Sequence, residues 1–278
     1  SYNCLTMKEY FIIVFTIIVL YYIVPPIKNI YINFHRKRTT EKFTDICNKV
    51  RLNMSIEDSM KVYNNKVEHR YTHELHRCIP GTQIYDPVPM KELMAELRKK
   101  FTIDKQLDKN ILDLAKQGNV EEFVYGKHPY LPYEKIYIGF LIKQKKIGYL
   151  LEKKKNKYTK RIYVLTRLWN LNDIFPEVIA LKIQSVIPPK ILLDIHLYKY
   201  DEGKDKPMCV YLTINQNYKT ENIMEVFTRI LKVLGTKEKI IEEANEYMGK
   251  YKENRANYIG LTNQNGEYFV TLYYNSKF

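Results

Sequence analysis

The 278-residue chain has little cysteine and little glycine, and it lacks the short motifs of the common enzyme classes. Its four cysteines, Cys4, Cys47, Cys78 and Cys209, form no CxxC pair and no spacing typical of a disulfide framework, and unpaired thiols favour a reducing compartment. There is no glycine-rich phosphate loop, no GxSxG and no paired-carboxylate signature. The sequence therefore predicts no cofactor and does not identify the chain as an enzyme.

The composition is that of a folded and strongly basic protein. Apolar residues make up 45% of the chain, which argues against bulk disorder. Lysine and arginine number 45 against 31 acidic residues, a formal net charge of +14. This surplus favours anionic partners, either nucleic acid or acidic lipid headgroups. The 25 tyrosines against 10 glycines are what an AT-rich coding sequence produces, which indicates a large DNA virus or another AT-rich genome.

One long uncharged run lies near the N-terminus, at residues 10–27. As a helix it would be about 27 Å long, close to the roughly 30 Å of a hydrocarbon core. It ends in two prolines with no small-residue cleavage site, so the sequence predicts a signal-anchor that stays in the membrane. Only Lys8 precedes the run, after the predicted initiator Met7, whereas several basic residues follow it: Lys28, Arg36, Lys37, Arg38 and Lys42. The positive-inside rule then places the C-terminal part in the cytoplasm, or in the interior of a virus particle.

Residues 39–130 are predicted to form a helical neck. A capping-box-like start at Ser55 precedes apolar residues at three- and four-residue spacing, which are Ile56, Met60, Tyr63, Val67, Tyr71, Leu75 and Cys78. Two further amphipathic helices are predicted, one with Leu93, Met94, Leu97 and Phe101 inward, the other with Ile103, Leu107, Ile111 and Leu114.

From residue 131 the apolar period changes to two, which predicts strands, and helices follow at 220–235 and 236–249. Asn265-Gly266 predicts a hairpin with a type I′ turn. The predicted fold is α+β, in three parts: a membrane anchor with a basic stop segment at 1–38, the helical neck at 39–130, and an α+β domain at 131–278. That domain would hold a mostly antiparallel sheet and two helices in its C-terminal half.

The segment EKKKNKYTKR, residues 152–161, gathers basic residues in one predicted hairpin loop: Lys153, Lys154, Lys155, Lys157, Lys160 and Arg161. Lysine with interleaved tyrosine suits phosphate contacts and base stacking, and it equally suits an anionic membrane surface. A solvated loop that guards a sheet edge is the third interpretation. Together with Arg36, Lys37 and Arg38, these residues are the predicted surface for an anionic partner.

Two other constellations could carry chemistry. His69, His73 and His76 have the spacing of one helical face and could contribute zinc ligands, with His128 or His196 from elsewhere. Cys78 would lie on the opposite, apolar face of that helix, so the sequence shows no fourth ligand and we predict no metal site.

The second constellation is on a predicted strand. Asp194 and His196 share one strand face, and a hairpin centred on Gly203-Lys204 would bring Cys209 opposite them, an arrangement typical of an activated thiol. A slip of one residue would move Cys209 to the other face.

The sequence as a whole predicts a membrane-anchored structural or interaction protein with a basic domain. Its predicted partners are the lipid bilayer through residues 10–27 and anionic lipid headgroups, with nucleic acid as the alternative. The rival functions are a membrane-tethered hydrolase or transferase that uses Asp194, His196 and Cys209, and a nucleic-acid-binding module that uses residues 153–161.

Overall fold

In the computed structural model the chain forms a closed antiparallel barrel of ten strands. The structure describes residues 15–16, 24–50, 53–77, 90–103, 105–116, 120–142, 145–154, 157–167, 170–215, 217–249 and 256–277. Each strand pairs with the next one along the chain, and β1 pairs with β10 to close the barrel. The strands are β1 (Asn53–Val62), β2 (Val67–Arg77), β3 (Val120–Lys127), β4 (Tyr133–Ile142), β5 (Lys145–Lys154), β6 (Lys157–Thr166), β7 (Leu192–Asp201), β8 (Cys209–Ile214), β9 (Ala256–Gln264) and β10 (Glu267–Lys277).

Helices are inserted before the barrel and at the connections of one of its ends. They are α1 (Val24–Val50), α2 (Met90–Lys100), α3 (Lys105–Ala115), α4 (Glu177–Val186), α5 (Thr220–Val233) and α6 (Glu238–Gly249), with short 3₁₀ turns at Leu171–Asp173 and Pro189–Ile191. The connections β1–β2, β3–β4, β5–β6, β7–β8 and β9–β10 lie at the opposite end, because alternate turns of an up-and-down barrel share an end. We call this opposite end the hairpin end.

The two faces of the barrel wall differ in polarity. Successive residues of a strand point to opposite faces, so in β1 Glu57 and Lys61 face the lumen while Met60 and Val62 face outward. The outward residues are buried under helices, and the lumen receives the polar ones. This is the reverse of an ordinary small barrel, in which apolar side chains fill the interior.

The outer apolar surface is covered in two places. Helices α4, α5 and α6 pack on the side formed by β1 and β7–β10, where Phe227, Ile230 and Ile259 are fully buried. Helices α1, α2 and α3 pack on β2–β5 around Phe43, whose ring centroid lies 5.1 Å from that of Phe101. The core therefore lies between barrel and helices rather than inside the barrel.

Several sequence predictions are confirmed. The second and third predicted neck helices are α2 and α3, which bury Leu93, Met94 and Leu97 and then Leu107, Ile111 and Leu114. The helices predicted at 220–235 and 236–249 are α5 and α6. Asn265 and Gly266 have φ of 55° and 85°, the positive values that a type I′ turn requires.

The predicted α+β fold is wrong, because the sheet closes into a barrel that includes half of the predicted neck. The helix predicted from residue 55 is the β1–β2 hairpin. Its apolar residues recur mainly every four positions, as in Val67, Tyr71 and Leu75, and a spacing of four keeps residues on one face of a helix and also on one face of a strand. Helix α1 crosses the predicted 38/39 boundary, and the barrel crosses the one at 130/131.

The predicted transmembrane signal-anchor and the single-pass localisation are corrected as well. None of the helices in the described part of the chain has the length and apolar character that a membrane span requires. Of the run 10–27, residues 10–14 and 17–23 lie outside the described residues, and Val24 to Ile27 are the first turn of α1. That helix continues through a basic stretch and packs on the barrel through Thr39, Phe43 and Ile46.

Candidate anion site in the barrel lumen

Within the described residues the lumen holds about as many carboxylates as cations, but only three of the carboxylates are largely shielded from solvent. Strand alternation and register direct five basic side chains inward, Lys61, Arg70, Lys135, Arg161 and Lys199. The buried carboxylates among them are Glu57, Glu74 and Glu152. Near the hairpin end Glu68 and Asp201 also face inward, and their side chains are 44% and 50% exposed, so solvent screens them.

Lys135 is held between two carboxylates from neighbouring strands. Its Nζ lies 3.0 Å from Oε2 of Glu57 on β1 and also contacts Oε1 of Glu74 on β2. Burial disfavours the ammonium, but Glu57 and Glu74 outweigh it and hold the pKa of Lys135 well above its usual value. Burial and the nearby Glu74 raise the pKa of Glu57, against the attraction of Lys135. This group is an internal ion cluster in which one ammonium group lies between two carboxylates.

Glu152 is the centre of a second cluster, nearer the hairpin end. Tyr133 Oη donates to Glu152 Oε1 at 2.8 Å, and Arg161 Nη1 donates to Oε2. Arg70 Nη1 lies 3.7 Å from Oε1 and donates to Tyr133 Oη at 3.2 Å. Burial alone would raise the pKa of Glu152, but the positive charges of Lys199, Arg70 and Arg161 lower it far below its usual value. Glu152 is therefore a carboxylate in neutral and mildly acidic solution.

Lys61 and Lys199 face the same space without a carboxylate of their own. Neither forms an ion pair within the described residues; Lys61 Nζ lies 4.7 Å from the ring centroid of Phe269, and Lys199 Nζ donates to Tyr211 Oη at 3.3 Å. Burial, followed by repulsion from Arg70 and Lys199, lowers the pKa of Lys61 to about 7. Burial also lowers the pKa of Lys199 to about 8, although Glu152 opposes the shift. Within the described residues neither ammonium group is in direct contact with a carboxylate.

Tyrosines line the lumen next to these cations. The ring centroid of Tyr163 lies 5.8 Å from that of Tyr211 and 5.7 Å from that of Tyr137, and Tyr211 lies 5.5 Å from Tyr273. Gly148 makes room for this layer, since a Cβ there would lie 2.2 Å from the Tyr137 ring. Burial is the first cause that raises the pKa of Tyr163, Tyr211 and Tyr273, so their hydroxyls stay protonated. Each remains a hydrogen-bond donor.

The cations around Glu152 reach solvent at the hairpin end. Lys61, Lys199 and Glu152 lie in the last residues of β1, β7 and β5, just before these turns, and Arg70 and Arg161 follow the turns on β2 and β6. The side chains of Arg70 and Arg161 are 28% and 17% exposed. Part of this group is therefore in contact with solvent at the hairpin end. We call Lys61, Arg70, Arg161 and Lys199 the lumenal cations.

The predicted basic loop is divided between the two faces of the wall. Arg161 points into the lumen and pairs with Glu152 and Asp201, whereas Lys160 points outward and pairs with Glu202 at 2.7 Å. Lys153 lies on the outer face, half-buried. Lys155 and the side chains of Lys154 and Lys157 lie outside the described residues. The structure therefore does not place these residues on one surface.

The basic residues of α1 are also separated. Arg36 lies with its Cζ 4.1 Å above the ring centroid of Tyr71, and its buried Nε has no hydrogen-bond partner in the described part of the structure. Lys37 and Arg38 are exposed.

Of Asp194, His196 and Cys209, the structure brings only the first two together. Lys199 pairs with Cys209 and His196 with Leu212, one residue away from the predicted register. His196 is buried on the outer face near the exposed Asp194, while Cys209 faces the lumen. Burial raises the pKa of the Cys209 thiol, although Lys199 opposes the shift. The raised pKa disfavours the nucleophilic thiolate.

The predicted histidine stripe lies on strand β2 instead of a helix. His69 stacks on Tyr247 with ring centroids 3.7 Å apart, and His73 is buried with its Nε2 2.9 Å from Thr40 Oγ1. The side chain of His76 lies outside the described residues, as does Cys78. His128 accepts the backbone N–H groups of Tyr130 and Leu131 with its Nδ1. Within the described residues no three His, Cys, Asp or Glu side chains are grouped so as to hold a metal ion.

Sequence reasoning missed the lumenal cations other than Arg161. Lys61 and Lys199 lie between apolar or aromatic neighbours, and Arg70 lies between His69 and Tyr71, a pattern that usually marks a strand face open to water. The number of strands with one polar face could have indicated a polar lumen. When such a sheet closes into a barrel, one face of every strand must line the interior.

Comparison with known proteins adds no functional information. No protein-family model matches the chain, and no curated protein matches it in sequence. The function is therefore argued from the lumen itself.

Proposed function

We propose that the protein binds a phosphate-bearing anion at the hairpin end of its barrel lumen. The observation that carries the proposal is the pair Lys61 and Lys199, two lysines that face a partly buried space without an ion-pair partner among the described residues. A buried ammonium without a negative partner is costly, and a bound anion removes that cost. Around Glu152, four cations face one buried carboxylate, which supports the same conclusion.

The kinds of donor support phosphate rather than a simple halide. Arg70 and Arg161 present planar guanidinium groups, which bind tetrahedral oxyanions through two parallel hydrogen bonds. Lys61 and Lys199 add point charges, and Tyr211 adds a hydroxyl donor next to Lys199. Such charge-assisted hydrogen bonds are roughly twice as strong as neutral ones.

The proposed role is binding rather than catalysis. The proposal keeps the anionic partner predicted from the sequence but places its binding site in the lumen instead of the 153–161 loop. Arg161 is the only residue that belongs to both the predicted and the proposed site. Binding of nucleic acid or of lipid headgroups by the outward lysines stays a prediction. The activated-thiol hypothesis has less support, because Cys209 and His196 lie on opposite faces of the wall.

Isothermal titration with inorganic pyrophosphate tests the proposal. We expect Lys61→Met and Lys199→Met each to weaken binding about tenfold to a hundredfold, since a charge-assisted hydrogen bond contributes about 1.5–3 kcal/mol. Lys160→Met is the matched control, because it removes one charge from the outer face of β6, next to Arg161. Circular dichroism should show all three variants folded. Equal binding by all three variants, or no binding by the unchanged protein, would contradict the proposal.

A further inference from the structure

We propose that anion binding in the lumen is coupled to proton uptake by Lys61 and Lys199, so that the barrel holds its ligand in neutral solution and releases it in mildly alkaline solution. This inference rests on the proposed function and names the regulation of the same site. Its geometric basis is that both lysines stand in a partly buried group of like charges, with no carboxylate in contact with either among the described residues.

The surroundings of Lys61 are mostly repulsive. Arg70 on β2 and Lys199 on β7 lower the pKa of Lys61, whereas Glu152 on β5 and Glu68 on β2 raise it by less than burial and repulsion lower it. Phe269 on β10 offers its ring face, a weaker partner than a carboxylate. Glu152 is already bound by Arg161 and Tyr133, and Glu68 accepts from Lys66 at 2.7 Å.

Lys199 is also buried among like charges, but Glu152 is its strongest charged neighbour. Glu152 on β5 and Cys209 on β8 favour its ammonium, whereas Arg161 on β6 and Arg70 on β2 repel it. Tyr211 on β8 accepts its hydrogen bond, and the ring centroids of Tyr163 and Tyr211 each lie 5.9 Å from Nζ. In the absence of an anion, burial dominates, and the pKa of about 8 leaves part of the population neutral at physiological pH.

The sign of the coupling follows from linkage. An anion beside either lysine favours its charged form and raises its pKa, so binding takes up protons wherever the free site is partly neutral. With free-site pKa values of about 7 and about 8, the coupling acts from about pH 7 upward. Each proton taken up weakens binding up to about tenfold per pH unit in that range. Arg70 and Arg161 stay charged and do not contribute to it.

Replacement of both lysines by arginine tests the inference. The Lys61→Arg, Lys199→Arg protein keeps both positive charges at all relevant pH values, and pyrophosphate binding to it and to the unchanged protein is compared between pH 6.5 and 9 by calorimetry. Titration of pyrophosphate itself is common to both proteins and cancels. We expect the affinity of the unchanged protein to fall about tenfold or more relative to the variant. The unchanged protein should also take up more protons on binding than the variant, which calorimetry in buffers of different ionisation enthalpy can measure.

A second measurement on the unchanged chain covers the case in which the variant fails to fold. Amine acetylation, read by mass spectrometry against pH, should give labelling midpoints near pH 7 to 8 for Lys61 and Lys199, well below the usual lysine value of about 10.4. Pyrophosphate should shift the two lumenal midpoints upward. Ordinary midpoints, or equal pH dependence in the two proteins, would overturn the inference. Absence of pyrophosphate binding at every pH would overturn the proposed function, and this inference with it.

Discussion

Lys135 Nζ lies 3.0 Å from Glu57 Oε2, an ion pair that joins β4 to β1 across the lumen between residues 78 positions apart in the chain. The two strands are not neighbours, because β2 and β3 lie between them in the barrel. A polar interior therefore helps to hold the barrel closed, through contacts that no adjacent strand pair makes.

The cluster around Lys135 predicts a large loss of stability on truncation. Lys135→Met should lower the free energy of unfolding by about 3–5 kcal/mol, because it leaves Glu57 and Glu74 buried without their cation. Urea denaturation measures the loss. Lys116→Met, at an exposed ion pair with Asp113, should change the free energy of unfolding by less than about 1 kcal/mol. Adding Glu57→Gln and Glu74→Gln to Lys135→Met should restore part of the stability; failure to do so would mean that lost packing, not charge, is the cause.

Two buried histidines predict destabilisation in acid. Burial and then the positive charge of Arg36 lower the pKa of His73 and of His128 to about 4 each. Both are neutral in the fold and bind protons in the unfolded chain below about pH 6.5, so stability should fall as pH decreases from about 6.5 to about 4. His73→Gln should remove about 2 kcal/mol of this dependence, discounted for solvent screening. Thermal unfolding against pH measures it.

The control for that experiment is His69→Gln. His69 is exposed on the same face of β2, stacked on Tyr247, and we expect its replacement to leave the acid dependence in place. Equal acid slopes in the unchanged protein and His73→Gln would contradict the assignment to His73.

Gly148 should tolerate no side chain. In Gly148→Ala the new Cβ would meet the ring of Tyr137, which is packed against Tyr163, so we expect a loss of about 1–3 kcal/mol from overpacking. Tyr137→Leu in the same chain should recover part of it, as a double-mutant cycle in urea can measure. Gly249→Ala, where no described residue outside the helix backbone lies within 4 Å of the added Cβ, should not destabilise the protein. Strict additivity in the cycle would argue against the predicted contact.

Helix α1 should be attached to the barrel by Phe43. The ring is fully buried and its centroid lies 5.8 Å from that of Tyr125 on β3, so Phe43→Ala should cost about 3–5 kcal/mol. Phe34→Ala changes the same residue type on the same helix, where the side chain is 59% exposed, and should cost less than about 0.5 kcal/mol. Protection of the α1 amides from hydrogen exchange should decrease in Phe43→Ala alone. Similar effects of both substitutions would show that α1 is not held through this ring.

The sequence by itself determined the elements whose signals are local. Asn265-Gly266 specifies its turn because both residues accept positive φ. Leu107, Ile111 and Leu114 are spaced by four and three residues, and only a helix places such residues on one side. The anionic partner was predicted from net charge alone, which indicates the sign of a partner and not where it binds.

Only the tertiary structure decided which face of each strand is the interior. Lys61 and Met60 are adjacent in sequence, and nothing local tells whether the lysine faces water or a lumen; closure by β1 and β10, more than 200 residues apart, settles it. The register of Lys199 and Cys209 was likewise undetermined, since a shift of one residue moves the thiol to the other face of the sheet. The spacing of four between Val67, Tyr71 and Leu75 fits a helix and a strand alike, and only the pairing of β1 with β2 shows that it is a strand. The alternation of polar and apolar residues shows that the two faces of a strand differ. Only the pairing of all ten strands determines which face points into the lumen.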